Sequence, residues 1–194
     1  MKKLLIILGL VSMMMLATNA FAGNEIGFKA GLNIANLSGD IEGADSYTGF
    51  AGGVFYKIAM PNGNFAFQPE LLYTMKGDKE GEGKIKLSYL EIPVLVKYEF
   101  PTEGNFKPNV FLGPFISFLM SAKEGDEDIK DYLKSVEFGS AFGAGFSFKV
   151  GEKGMINFDA RYCLGLTNIV DADGADVKNN VFSFFFGYSM GIGQ

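Results

Sequence analysis

The chain has no histidine, no tryptophan and one cysteine, Cys163, among 194 residues. Without imidazole it can build neither a Ser-His nor a Cys-His nucleophile, has no imidazole general base, and lacks a principal zinc ligand. A single thiol excludes an intrachain disulfide framework and any multi-thiolate metal centre. Basic charge is in deficit as well: 17 Lys and Arg face 22 Asp and Glu, giving a net charge of −5 and a pI near 4.8. That is the opposite of the basic face a nucleic-acid partner requires. What is abundant is glycine, at 26 residues, and phenylalanine, at 20. The length allows one domain, or at most two small ones.

Met1-Lys2-Lys3 precedes an uncharged run from Leu4 to Ala17, followed by the small-x-small triplet Ala20-Phe21-Ala22. This pattern predicts a secretory signal peptide over 1–22, cleaved to leave a mature domain over 23–194. The apolar run falls short of the roughly 18 residues a spanning helix needs. No cysteine follows the expected cleavage point, which argues against lipid anchoring there. In an exported chain, Cys163 reads as a small buried residue. Without Lys2 and Lys3, 15 basic and 22 acidic residues leave the mature chain at −7.

Beyond residue 22 no helical period persists, and alternation with period two recurs, the signature of strands. Leu90, Ile92, Val94, Val96, Tyr98 and Phe100 oppose Tyr89, Glu91, Pro93, Leu95, Lys97 and Glu99. The same reading predicts strands near 24–34, 47–60, 65–76, 87–100, 106–120, 135–150, 155–166 and 180–192. Thirteen charged residues fall within these strands, from Glu25 and Lys29 through Lys76, Glu99, Lys107 and Lys149 to Asp159 and Arg161, all opposite the apolar face. Short connections at 61–64, 101–105 and 151–154 alternate with longer ones at 35–46, 77–86, 121–134 and 167–178. The expected fold is therefore all-β, an eight-stranded antiparallel up-and-down transmembrane β-barrel. Strand number, turn asymmetry and strands exceeding the roughly 9 to 11 residues that cross a bilayer all fit. A soluble barrel of lipocalin type is the alternative, but it should carry charge outside and apolar residues inside. Here the polar face is rich in Gly27, Gly31, Gly139, Gly143 and Gly145, which suits a narrow lumen. Pro69, Pro93 and Pro114 fall inside three consecutive strands and cannot donate ladder hydrogen bonds, so broken pairing or bulges are expected there.

Several strings are specific in combination: Gly27-Phe28-Lys29-Ala30-Gly31-Leu32-Asn33, Gln68-Pro69-Glu70-Leu71-Leu72-Tyr73 and Tyr89-Leu90-Glu91-Ile92-Pro93-Val94-Leu95-Val96-Lys97-Tyr98. They continue through Gly113-Pro114-Phe115, Asp159 to Ile169, and Phe186-Gly187-Tyr188. In these strings the chain resembles the small outer-membrane β-barrel family common in Bacteroidetes, often labelled porin-family and including PorT-like proteins. The resemblance implies an eight-stranded barrel in the cell outer membrane; some relatives are linked to protein secretion, and no single activity is assigned to the family. One departure is the end, Met190-Gly191-Ile192-Gly193-Gln194, where an aromatic residue is usual for recognition by the barrel-assembly machinery.

Eight inward charges near mid-strand, Lys29, Lys57, Glu70, Glu91, Lys97, Glu137, Asp159 and Arg161, make an equal number of acids and bases. Buried charge is costly unless paired, so the expectation is a neutralised network filling the lumen. A barrel of eight strands is just wide enough for side chains. The acidic loops place Asp126 and Asp128, with Glu124, Glu127 and Asp131, and separately Asp171, Asp173 and Asp176, as candidate oxygen ligands for Ca²⁺ or Mg²⁺, without reproducing an EF-hand loop. A carboxylate pair such as Glu70 and Glu91 is the one candidate for acid-base chemistry on a glycoside, and no saccharide-binding context surrounds it. Asn36-Leu37-Ser38 is an incidental sequon, and Gly143-Ala144-Gly145 lacks the strand-to-helix setting of a nucleotide site. The reading is a non-enzymatic outer-membrane barrel with no cofactor, whose partners are outer-membrane lipid and lipopolysaccharide, the barrel-assembly machinery, and an envelope or secretion partner met through the loops. A narrow channel for small solutes or ions, and a carrier of an apolar ligand at the barrel mouth, are the alternatives. The four long loops hold 14 acidic and 7 basic residues, so the whole −7 of the mature chain sits with them.

Overall fold

The computed structural model describes residues 23–39, 46–61, 63–80, 83–171 and 176–192; the expected signal peptide over 1–22 lies outside them. Eight long strands of 12 to 19 residues make up the wall: β1 (Asn24–Gly39), β2 (Tyr47–Ala59), β3 (Phe65–Glu80), β4 (Gly83–Glu99), β5 (Phe106–Glu124), β7 (Val136–Val150), β8 (Gly154–Gly165) and β9 (Val177–Ile192). A two-residue strand, β6 (Glu127–Asp128), clips to the end of β5, and a single 3-10 turn follows at Lys130–Tyr132. Every long strand pairs antiparallel with its neighbours, and β1 pairs with β9 from Asn24↔Ile192 to Gly39↔Val177. The sheet is a closed eight-stranded barrel with no free lateral edge, which is what a bilayer demands of a β-structure.

The alternation decides which face is which. Ile26, Phe28, Leu32, Val54, Leu112, Phe138 and Phe186 project outward and are exposed on the free molecule. Aromatic contacts tile this outer surface, among them Phe146 on Phe158 with centroids 5.4 Å apart and Phe142 on Tyr162 at 5.5 Å. The charged face points in: Lys29, Glu70, Lys97, Glu137, Asp159 and Arg161 are each buried. An apolar exterior around a charged interior is the reverse of a soluble barrel, and the lipocalin-type alternative falls on that ground.

Each of the three mid-strand prolines coincides with a skipped stretch of pairing. Between β2 and β3 the ladder passes from Phe55↔Glu70 to Ile58↔Phe67, missing Pro69. Between β3 and β4 it passes from Pro69↔Val94 to Leu72↔Glu91, missing Pro93, and between β4 and β5 from Pro93↔Phe115 to Val96↔Leu112, missing Pro114. Register is the same on both sides of each gap. The missing N–H therefore removes bonds on one side of each strand without slipping the barrel.

The strands run further than alternation indicates. Of the segments expected as loops, 77–86 is taken up in large part by β3 to Glu80 and β4 from Gly83, while 35–46, 121–134 and 167–178 are entered at one end by β1 to Gly39, β5 to Glu124 and β9 from Val177. In 77–86 charge falls on both faces, so the period vanishes from the sequence; the ladder needs only backbone groups and continues. In β5 a register shift against β4 between Ser88 and Tyr89 leaves Met120 as the extra residue, so both Leu119 and Ala122 point inward. This bulge is why the alternation stops at Met120 while the strand does not.

Candidate functional site

The lumen is filled by three sets of ion pairs stacked along the barrel. At the level of the short turns, Lys57 of β2 bridges Glu25 of β1 at 2.5 Å and Glu99 of β4 at 2.8 Å. Ser189 of β9 donates to the other oxygen of Glu25 at 2.6 Å. In the middle, Lys29 of β1 spans Glu70 of β3 at 2.8 Å and Asp159 of β8 at 2.9 Å, while Lys97 of β4 reaches Asp159 at 3.2 Å. Arg161 Nη2 contacts both oxygens of Glu70, and Gln68 donates to the same carboxylate at 2.6 Å. Towards the long loops, Lys76 of β3 lies between Glu91 at 2.8 Å and Glu137 at 3.3 Å. Ser117 donates to Glu91 at 3.0 Å and Asn179 to Glu137 Oε2 at 3.2 Å.

All eight charges expected as a lumen network are buried and paired, but they do not pair as one balanced set. Lys76, Glu25 and Glu99 also take part, giving five cations and six carboxylates in three groups. Phase alone puts these three residues on the inner face; their position towards the strand ends hides their role. Aromatic rings separate the levels. Phe111 and Phe185 flank the Arg161 guanidinium at 5.5 and 5.2 Å, and Phe115 lies 4.9 Å from Lys76 Nζ. Room for these inward rings comes from glycine on the neighbouring strand. A Cβ on Gly139 would sit 2.2 Å from Phe115 Cζ, and one on Gly143 2.8 Å from Phe111 Cζ. Cys163 is buried beside Leu95, Phe111, Phe115 and Val181. Among the described residues, Glu70 and Glu91 are both committed to cations or hydroxyl donors.

The two mouths differ. At the loop end an apolar cluster, Leu37, Leu87, Tyr89, Leu119, Ile169 and Val177, lies over the upper ion pairs, with Ile129, Leu133 and Val170 of the loops packed on it. Backbone bonds hold the two covering loops together, Lys134 N to Ile169 O at 2.8 Å and Asp171 N to Tyr132 O at 3.0 Å. Their apolar residues are isolated among acids in the sequence, and no period announces them. At the turn end the barrel opens into a recess of about 450 Å³ floored by the Glu25–Lys57–Glu99 group.

Among the described residues, the acidic residues considered as cation ligands do not gather into one group. Asp128 accepts the Lys130 backbone N–H at 3.0 Å and Asp176 pairs with Lys178 at 2.6 Å. Asp126 and Asp171 lie on separate loops, and Asp173 falls outside the described residues. Among the described residues no group of three or more acidic, cysteine or histidine side chains forms a metal site.

Residues 19–171 match the family profile described as the outer membrane protein beta-barrel domain. The chain belongs to that family. Membership covers most of the sequence and agrees with the closed barrel, its lipid-facing exterior and an outer-membrane location. Among curated proteins no sequence matches. Solved structures similar in fold include Neisserial surface protein A, with a TM-score of 0.62 and 18% identity over 88% of this chain and 98% of that one. A major outer membrane protein from Thermus thermophilus superposes with a TM-score of 0.56, 10% identity, and coverage of 88% and 100%. The outer membrane protein OprG from Pseudomonas aeruginosa gives 0.53, 17%, and coverage of 91% and 99%. At these identities the likeness shows the barrel fold alone, and function rests with each chain's own side chains.

Proposed function

We propose that this chain is a non-enzymatic, non-conducting outer-membrane barrel that works through its loop end, as a structural or interaction protein accessory to an envelope or secretion complex, in keeping with the link of some PorT-like relatives to protein secretion. The observation that carries this reading is the double closure of the lumen. Three levels of ion pairs fill its cross-section, and an apolar cluster with two bridged loops covers the end above them. A lumen filled by buried, ion-paired side chains leaves a solute no open path. The chain's long-loop regions hold 14 of its 22 acidic residues, and a partner would meet them there. Short turns face the periplasm in barrels of this kind, which sets this end outward. Lipid and lipopolysaccharide would contact the aromatic exterior, and the barrel-assembly machinery would insert the chain.

Planar-bilayer recording on pure refolded protein tests the reading. The expected result is no steady conductance. Stable, solute-sized steps from pure protein would establish the narrow channel in its place. The apolar-carrier alternative predicts a vacant apolar cavity at a mouth, whereas the apolar cluster at the loop end is packed by the chain's own loops.

A further inference from the structure

We propose that the recess at the turn end is a binding site for a phosphate group, built by Lys107, Lys149 and Lys153. The three lysines come from consecutive parts of the wall: Lys107 near the start of β5, Lys149 at the end of β7, and Lys153 in the turn that leads into β8. Backbone pairing fixes their placement. Lys107 lies opposite Ser147, two residues from Lys149; the Lys149 N–H donates to Asn105 O at 2.9 Å; and Lys153 O accepts from Gly191 N at 2.9 Å.

Charge on this recess is not self-neutralised. Its floor carboxylates, Glu25 and Glu99, are both engaged by Lys57, at 2.5 and 2.8 Å. Among the described residues no carboxylate lies within 4 Å of the ammonium groups of Lys107, Lys149 or Lys153, although Glu152 lines the same space. Four lysines therefore share the recess with three glutamates, and among the described residues three of the lysines make no ion pair, Lys107 acting on Glu99 only at longer range. Elsewhere in the lumen every buried cation is matched to a carboxylate, so this excess is local to the mouth.

The chemistry of the donors selects the ligand. Ammonium groups are point charges with no planar fork, and three of them, carried by two adjacent strands and the turn into β8, suit an acceptor whose oxygens point in several directions. A tetrahedral phosphate has that form, whereas a carboxylate presents two coplanar oxygens best met by arginine. The chain's single arginine, Arg161, is deep in the middle level and occupied with Glu70. Met60, Met155 and Ile192 add apolar wall for the organic part of a phosphate ester, and about 450 Å³ is within the usual range for small-molecule sites. The phosphate can come from a headgroup of the adjacent leaflet or from a soluble periplasmic ester.

The test uses the full barrel folded in uncharged detergent, as wild type, as the triple variant K107Q/K149Q/K153Q, and as K107R/K149R/K153R. Titration calorimetry with inorganic phosphate reads the soluble arm. Native mass spectrometry with phosphatidylglycerol against diacylglycerol reads the lipid arm. Affinity in at least one arm is expected to fall roughly threefold to tenfold for each lysine removed and to survive in the arginine variant. The heat-dependent gel shift of the folded barrel verifies that all three proteins are folded. Calorimetric binding identifies soluble phosphate; adducts of phosphatidylglycerol without calorimetric binding identify the lipid headgroup. No saturable binding in either arm, or equal binding by the glutamine variant, overturns the proposal.

Discussion

Arg161 of β8 reaches across the barrel to Glu70 of β3, its Nη2 lying 2.9 and 3.0 Å from the two carboxylate oxygens. Ninety-one residues separate them in sequence, and both are buried. Lys29 shares the same carboxylate at 2.8 Å, so Glu70 is the anion on which two buried cations depend. Glu70→Leu should leave Arg161 without its ion-pair partner and Lys29 with Asp159 alone, and destabilise the folded barrel by about 3 to 5 kcal/mol. Adding Arg161→Met should recover a substantial part of that loss, because a paired charge is replaced by packing rather than left alone. Urea unfolding in detergent, run as a double-mutant cycle, measures both terms. Additive losses would show that the two residues do not interact energetically.

The inward rings depend on missing side chains opposite them. On Gly139 a Cβ would meet Phe115 Cζ at 2.2 Å and Leu164 O at 2.4 Å. Gly139→Val should therefore cost at least about 1 to 3 kcal/mol, the range for overpacking a filled core. Because the backbone oxygen cannot retreat, Phe115→Leu in the same chain should relieve the defect only in part. Thermal unfolding followed by the gel shift checks both variants.

Skipped pairing at the prolines should be visible in exchange. Amides of Tyr56, Glu70, Leu71, Val94 and Leu95 border the gaps and should exchange faster than those of Lys29 to Leu32 in the uninterrupted β1–β9 seam. Pro93→Ala restores one donor facing β3 and should slow exchange at that gap alone. Hydrogen-deuterium exchange by NMR in micelles gives the comparison residue by residue.

The loop-end cover is a separable unit. Ile169 is buried in its apolar cluster, and its backbone accepts the Lys134 N–H. Ile169→Asp buries a charge with no cation assigned to it and should release the covering loops while the ion-paired barrel below stays folded. Limited proteolysis should then cut within 125–135 at least tenfold faster, about 1.4 kcal/mol of lost local protection, with the gel shift of the barrel unchanged. Loss of the folded band together with loop cleavage would show that the cover and the barrel are one cooperative unit.

How much of this was legible in the residues depends on what pattern each feature leaves. Period-two alternation marks a strand and its two faces wherever one face must be apolar, so the membrane-crossing parts, the inward charges and the prolines of β3, β4 and β5 could be located before any fold was known. Through 77–86 charged residues fall at both parities, no apolar alternation marks the chain, and β3 and β4 extend into the segment unseen. The bulge at Met120 erased the phase in the same way, and with it the inward position of Ala122.

By itself the sequence determined that this protein is an all-β chain whose strands have one charged and one aromatic face, a local consequence of one-residue parity, while burial in the closed barrel decided that the charged face is inside. The sequence also excluded imidazole chemistry by composition. Only the tertiary structure decided which charges meet. Lys76 lies between Glu91 and Glu137, Lys57 between Glu25 and Glu99, and among the described residues three lysines of the turn-end recess make no ion pair. Parity places a side chain inside the barrel, but its depth follows from strand register and the stagger on closing the sheet, and partners at one depth come from strands far apart in the chain.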